Sequence, residues 1–141
     1  MPKVITLTLP WPPTSNHFHQ PIRMGNFARL TTSKKAKDYK KRIVEEFGGT
    51  FGNPLDARLR LTAIFFAPTK AKRDLPNFEK AFMDGLNEAG LFEDDSQFDD
   101  IQFLRGEIVK GGCIVVRISP IPEYGPIPLD AADEYLDSMH P

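Results

Sequence analysis

Asp74, Lys80 and the neighbouring Asp94 and Asp95 are the side chains whose types and spacing suit chemistry. All fall in residues 73–97, which read R-D-L-P-N-F-E-K-A-F-M-D-G-L-N-E-A-G-L-F-E-D-D-S-Q. Clustered carboxylates with a lysine in reach are what phosphodiester hydrolysis with a divalent metal requires. Hard cations such as Mg²⁺ take oxygen ligands, a few carboxylates plus water. Bound metal lowers the pKa of a water and offsets charge on the phosphate. For any one of these acids alone, the plainer reading is favoured: Asp74 caps a helix, and Asp94 with Asp95 forms a solvated turn. To act together, an acid at the front of a helix must approach a pair beyond its end. The chain must therefore double back, and a strand beginning near Gln97 would do that.

The elements that must position these residues are legible from periodicity. Residues 4–9 alternate Val4, Thr6, Thr8 against Ile5, Leu7, Leu9, a strand with one apolar face. Pro10, Trp11, Pro12 and Pro13 stop it, since proline cannot donate to a ladder. Residues 14–32 read as a long polar loop, of the kind that is often functional or mobile. Its Asn16, His17, His19, Arg23, Asn26 and Arg29 are interleaved with Phe18 and Phe27. Ser33 suits the N-cap of a helix running to about residue 47, with Ala36, Tyr39, Ile43 and Phe47 facing the core and Gly48-Gly49 ending it. Lys34, Lys35, Lys37, Lys40, Lys41 and Arg42 cover the rest. A solvated helix face is the ordinary meaning of such a run, and a DNA-facing role the lesser one.

Residues 58–67 alternate Leu59, Leu61, Ala63 and Phe65 against charged or smaller residues and predict a second strand. Residues 68–73 form a basic loop. A helix follows over about 76–89, with Phe78, Ala81, Phe82, Leu86 and Ala89 inward and Gly90 just past its end. Residues 101–109 and 113–119 read as two strands of a hairpin joined around Lys110, Gly111 and Gly112. The order β-α-β-α-β-β predicts an α+β single domain, a mixed β-sheet with two packed helices. No internal repeat is present.

Composition narrows the function classes. At 141 residues and 40% hydrophobic content the chain fills one domain and one core. No stretch is long and apolar enough to span a bilayer, and residues 1–9 do not read as a signal peptide. No membrane partner is expected, and a cytoplasmic location is. The single cysteine, Cys113, excludes an intramolecular disulfide and a cysteine-based zinc site. The net charge of −1 hides an asymmetry. Glu123, Asp130, Asp133, Glu134 and Asp137 follow Pro120, and no Lys or Arg does. The remainder therefore sets 18 basic residues against fourteen acids, a balance of +4. Mild basicity permits a nucleic-acid partner without establishing one. The tail over 120–141 holds five of the 13 prolines, and its P-I-P-E-Y-G-P-I-P segment should be extended. Residues 130–139 can form a short helix carrying Ala131, Leu136 and Met139, although a tail without fixed structure fits the composition better. An acidic arm of this kind would shield the basic surface or dock on a partner subunit.

With these residues in hand, the chain resembles the RusA family of Holliday-junction resolvases, small endonucleases common in phages and prophages. The opening I-T-L-T-L-P-W-P-P-T-S-N (5–16) is similar to the family's first strand and P-P-S-x-N turn. Residues 72–97 are similar to the family pattern R-D-x-D-N-x-x-K-x-x-x-D-A-L followed by a glycine and D-D-x-Q. V-K-G-G (109–112) precedes the last strand, as in the family. The resemblance covers residues 4 to about 119, an endonuclease domain over 1–119, and leaves the tail over 120–141 without a counterpart.

The resemblance implies a Mg²⁺- or Mn²⁺-dependent endonuclease acting on four-way junctions and related branched DNA in recombination and repair, in the cytoplasm of a bacterial or phage-infected cell. It implies Asp74 and Asp95 as metal-binding carboxylates with Asp94 as the partner acid. Lys80 matches the essential lysine, which would stabilise charge on the phosphoryl oxygens. Asn77 matches the motif asparagine, and Lys70, Lys72, Arg73, Arg23 and Arg29 join it as expected DNA contacts. Phe18 and Phe27 would wedge into the branch point or, more simply, lie in the core. Two opposed cuts call for a two-fold homodimer. One departure stands out: where many members have a second aspartate two residues after the first, this chain has Pro76, which offers no cation ligand. Pro76 also favours a helix beginning at itself, with Leu75 or Asn77 nearest the N-cap and Asp74 free. A catalytically impaired junction-binding protein is the alternative that this departure raises. A non-nuclease phage protein docking through its acidic tail is a further rival.

Overall fold

Alternation of apolar and polar residues sets the two faces of the main sheet. In β1 (Ile5–Pro10), Ile5, Leu7 and Leu9 are buried while Thr6 and Thr8 are exposed. The structure, a computed structural model, describes residues 3–14, 19–24, 27–121 and 126–139, and the side chains of 19–24 and 27–32 lie outside that description. The next two strands are β2 (His19–Met24) and β3 (Phe27–Thr32), which pair antiparallel as a separate two-stranded sheet. The long polar loop expected over 14–32 is therefore corrected to a hairpin. Its only sequence sign was Gly25-Asn26 between the two segments, a two-residue hairpin signal without a flanking apolar alternation.

Helix α1 (Lys34–Phe47) begins where expected: the Ser33 hydroxyl accepts a hydrogen bond from the Ala36 N–H at 3.2 Å. Ala36, Tyr39 and Ile43 are buried. The Tyr39 hydroxyl donates to the Pro10 carbonyl at 2.7 Å, tying α1 to the end of β1. Burial pushes this phenol far above its usual range, so it remains a neutral donor.

Strand β4 (Leu59–Phe66) buries every other residue and is central. It pairs antiparallel with β6 (Cys113–Pro120) and parallel with β5 (Phe98–Arg105), giving the order β1-β6-β4-β5. The expected hairpin between the last two strands is thus corrected, because β4 lies between them. The chain leaves β5, follows the end of β4 through Gly106 N–H to Phe65 O and Val109 N–H to Ala67 O, and turns at Gly111 and Gly112. Both glycines have φ near +70 to +85°, so the Gly-Gly signal marked a real turn between strands that do not pair.

Helix α2 (Glu79–Glu88) joins β4 to β5 and lies against α1, where Gly85 lets the helices meet. A Cβ there would stand 2.6 Å from the Ile43 Cδ1. Phe78, Ala81, Phe82, Leu86 and Ala89 are all buried, as the periodicity required. Phe65 centres an aromatic core with Phe78, Phe82 and Phe103, at centroid distances of 5.2 to 6.2 Å. Each fully buried ring of this kind contributes roughly 1.5–3 kcal/mol. The fold is a single α+β domain with a four-stranded mixed sheet. Among the described residues, the buried hydrophobic ones all lie between Ile5 and Ile118. Beyond them, α3 (Ala132–Met139) is a third helix, preceded by a 3-10 turn at Leu129–Ala131. Helix formation there departs from the structureless tail favoured by composition. Part of the proline segment expected to be extended, residues 122–125, lies outside the described residues.

Candidate active site

The acids sit at the two ends of the β4-α2-β5 crossover. After β4 the chain runs through the basic loop, which Arg73 braces from within. Its guanidinium donates to the Thr69 carbonyl at 2.9 Å, the Ala71 carbonyl at 3.0 Å and the Thr69 hydroxyl at 2.8 Å. The same group lies 5.7 Å over the Trp11 ring, a cation–π contact. Lys70 and Lys72 are left exposed on the outside. Arg105, at the end of β5, donates to the Arg73 carbonyl at 2.6 Å and so adds a further cation to this surface.

Asp74 follows in extended conformation at the N-cap position of a 3-10 turn, Leu75–Phe78, which runs into α2. The expectation that Leu75 or Asn77 would be nearest the cap is corrected by one residue, but Asp74's side chain makes no capping hydrogen bond. Pro76 occupies the first turn and has no N–H to offer. Asn77 donates its backbone N–H to the Asp74 carbonyl at 3.1 Å, closing the turn. Lys80 lies half-exposed one turn on, with its Nζ 3.1 Å from Asp84 Oδ2.

The second acid group is built differently. Asp94 precedes a 3-10 turn, Asp95–Gln97, and its carboxylate accepts from the Ser96 N–H at 3.0 Å. The hydrogen bonds from Ser96 hold the Asp94 carboxyl below its usual range. Gln97 fixes this turn to the body. Its side-chain oxygen accepts from the Glu93 and Asp94 N–H groups at 2.7 and 2.8 Å. Its amide donates to the Leu55 and Ala57 carbonyls, both at 2.9 Å. Asp95 is exposed and accepts no hydrogen bond among the described residues. Its charge reaches Glu79 in the first turn of α2. Burial first, and Asp95 second, push the Glu79 carboxyl above its usual range.

Asp74 and Asp95 thus carry carboxylates uncommitted to the fold, whereas one oxygen of Asp94 is engaged as a cap. Uncommitted carboxylates suit Mg²⁺, which is commonly held by one or two carboxylates with waters and substrate phosphates completing its shell. Among the described residues no group of three or more His, Cys, Asp or Glu is arranged to hold a metal alone. Lys70, Lys72 and Arg73 precede Asp74 in the chain and line one groove with Leu75. Arg23 and Arg29 fall in β2 and β3, and their side chains lie outside the described residues, as do those of Phe18 and Phe27. Glu79, Asp84 and Arg105 were missed by sequence reasoning as parts of this region, and Gln97 was read only as the end of the motif and the start of a strand. For Asp84 the signal was its i,i+4 spacing from Lys80. For Arg105 it needed the parallel register, which sets it beside Phe65 at the end of β4.

The family model for endodeoxyribonuclease RusA matches residues 10–119. A crossover junction endodeoxyribonuclease of Enterobacteria phage HK97 is 35% identical over 117 residues, covering 80% of this chain and 92% of its own. Its counterparts in Escherichia coli K12 and Enterobacteria phage 82 are 29% and 28% identical, each over 92% of its own length and 81% and 80% of this chain. No helix among the described residues is long and apolar enough to cross a membrane. By the match over most of its length, with the central acidic segment inside it, the chain belongs to the RusA endodeoxyribonuclease family.

Proposed function

We propose that this chain is a Mg²⁺- or Mn²⁺-dependent crossover junction endonuclease that cuts four-way junctions and related branched DNA in recombination and repair. It works in the cytoplasm of a bacterial or phage-infected cell. Residues 1–119 form the nuclease domain and 120–141 a tail. The observation that carries the reading is the pair of uncommitted carboxylates, Asp74 and Asp95, within the segment shared with junction endonucleases.

Asp74 and Asp95 hold the divalent ion, and Asp94 assists with its second carboxylate oxygen. The ion, when bound, supplies a water of lowered pKa and offsets phosphate charge. Lys80 directs its ammonium to the phosphoryl oxygens, where negative charge builds in the transition state. Asp84, 3.1 Å away, orients it. Lys70 and Lys72 contact the DNA backbone beside Asp74, with Asn77, Arg23 and Arg29 as further contacts. Arg73 acts chiefly by shaping the loop that presents them. Such contacts position DNA without reading its sequence. A two-fold homodimer sets two such sites against the two strands to be cut.

Incubation with a synthetic four-way junction, with and without Mg²⁺ or Mn²⁺, tests the reading. Paired, metal-dependent nicks are expected. Pro76 in place of an aspartate favours a second reading, a junction-binding protein with impaired catalysis. Tight, salt-sensitive binding without nicks in either metal would select it.

A further inference from the structure

Helix α3 carries an apolar stripe of which no described residue is buried. Ala132, Tyr135, Leu136 and Met139 recur at i, i+3, i+4 and i+7 and so share one face. Tyr135, Leu136 and Met139 are 40%, 56% and 48% exposed, and Leu129 just before them is 93% exposed. Asp133, Glu134 and Asp137 occupy the other side. A helix of 8 residues is too short to persist unaided in water, so its stability depends on a surface that takes this stripe. The segment lies beyond the matched residues 10–119.

A complementary surface exists beside Asp74. It is a groove floored by Trp11, Leu75 and Ile108 and rimmed by Lys70, Lys72 and Arg105. Ile108 is 47% exposed on that floor. Apolar floor meets apolar stripe, and a basic rim meets a segment with no Lys or Arg after Pro120.

The anchor of the tail sets the groove of its own chain at the limit of its reach. Ile121 is anchored by its N–H to the Arg58 carbonyl, where β4 begins, whereas the groove lies past the end of β4. The 8 residues of β4 span about 26 Å. Residues 122–129 cover a similar distance, roughly 26–29 Å, only when fully extended. A second copy of the chain removes that constraint.

We propose that α3 is an exchanged arm, docking by its apolar stripe and acidic flank into the basic-rimmed groove of a second copy. Because Lys70 and Lys72 also serve DNA in the proposed function, arm and DNA would exclude each other, and that consequence alone rests on the nuclease reading. The test therefore contains no DNA. Full-length chain, half of it ¹⁵N-labelled, is treated with a carbodiimide, which couples carboxylates to amines in direct contact. Mass spectrometry should find Lys70 or Lys72 joined to Asp133, Glu134 or Asp137 in mixed-isotope pairs. The triple variant Tyr135→Ser, Leu136→Ser, Met139→Ser keeps every acid, and Ile108→Ser leaves the arm intact. Each should lower the mixed-isotope yield by about tenfold or more, since apolar contact carries the docking. No such cross-links, cross-links confined to single chains, or yields unchanged in either variant would overturn the exchanged arm.

Discussion

Asp74 and Asp94 occupy the same kind of place and do different work. Each precedes a 3-10 turn with extended backbone, at φ −96°, ψ 117° and φ −155°, ψ 146°. Asp94 accepts a hydrogen bond from the N–H two residues on, that of Ser96. Two residues on from Asp74 stands Pro76, which has no N–H. The substitution that removes an expected acid therefore also removes the donor that would engage Asp74. One aspartate is left without a capping hydrogen bond and the other holds a turn. Residue type does not separate them, but the neighbour at i+2 does.

The largest effect should come from the uncommitted acids. Asp95→Asn should slow junction cleavage by about a thousandfold or more, the rate equivalent of ~4 kcal/mol, with junction binding retained in a gel-shift assay. Near-normal cleavage would move Asp95 to the structural side of the comparison. Lys80→Ala should slow cleavage by about 10²–10³-fold while leaving the Mg²⁺ dependence unchanged, because it acts on transition-state charge. A shift only in the Mg²⁺ requirement would reassign the lysine to the metal.

The structural side is tested by stability. Gln97 is 8% exposed and satisfies four backbone groups. Gln97→Ala leaves them unpaired and should cost about 2–3 kcal/mol in denaturant unfolding, read as a lower midpoint at constant slope. The smallest effect concerns Asp94 and acid. Its folded-state pKa is held down by Ser96, so its stabilisation is present above the ordinary carboxylate pKa and lost as pH falls through the depressed value. Asn caps as well as Asp but does not titrate. The stability difference between the natural chain and Asp94→Asn should therefore be constant near neutrality and change only below about pH 4. A change near pH 7 would show that another group is involved.

Much of the frame was legible because burial follows period. The inward residues of β1, β4, α1 and α2 and the Ser33 cap were readable from spacing alone. The strand near Gln97 was expected because the acids needed it, and β5 begins at Phe98. Pairing was not legible. Gly111-Gly112 marks where the chain turns, but not that β4 will lie between the flanking strands. The β2–β3 hairpin lacked an apolar face to announce it. Within the site, Asp74, Lys80, Asp94 and Asp95 were visible by type. The division of labour between Asp74 and Asp94 depends on backbone donors, and the role of Gln97 depends on carbonyls at Leu55 and Ala57, some forty residues earlier.

Cleavage of a four-way junction by Asp74→Asn and Asp94→Asn, measured side by side across a Mg²⁺ titration, tests the division of labour most directly. Asp74→Asn should bind the junction and fail to cut it at any Mg²⁺ concentration. Asp94→Asn should cut it, with at most a raised Mg²⁺ requirement. Normal cleavage by Asp74→Asn, or equal loss in both variants, would contradict the claim that Pro76 leaves Asp74 free for the metal while Asp94 holds the turn.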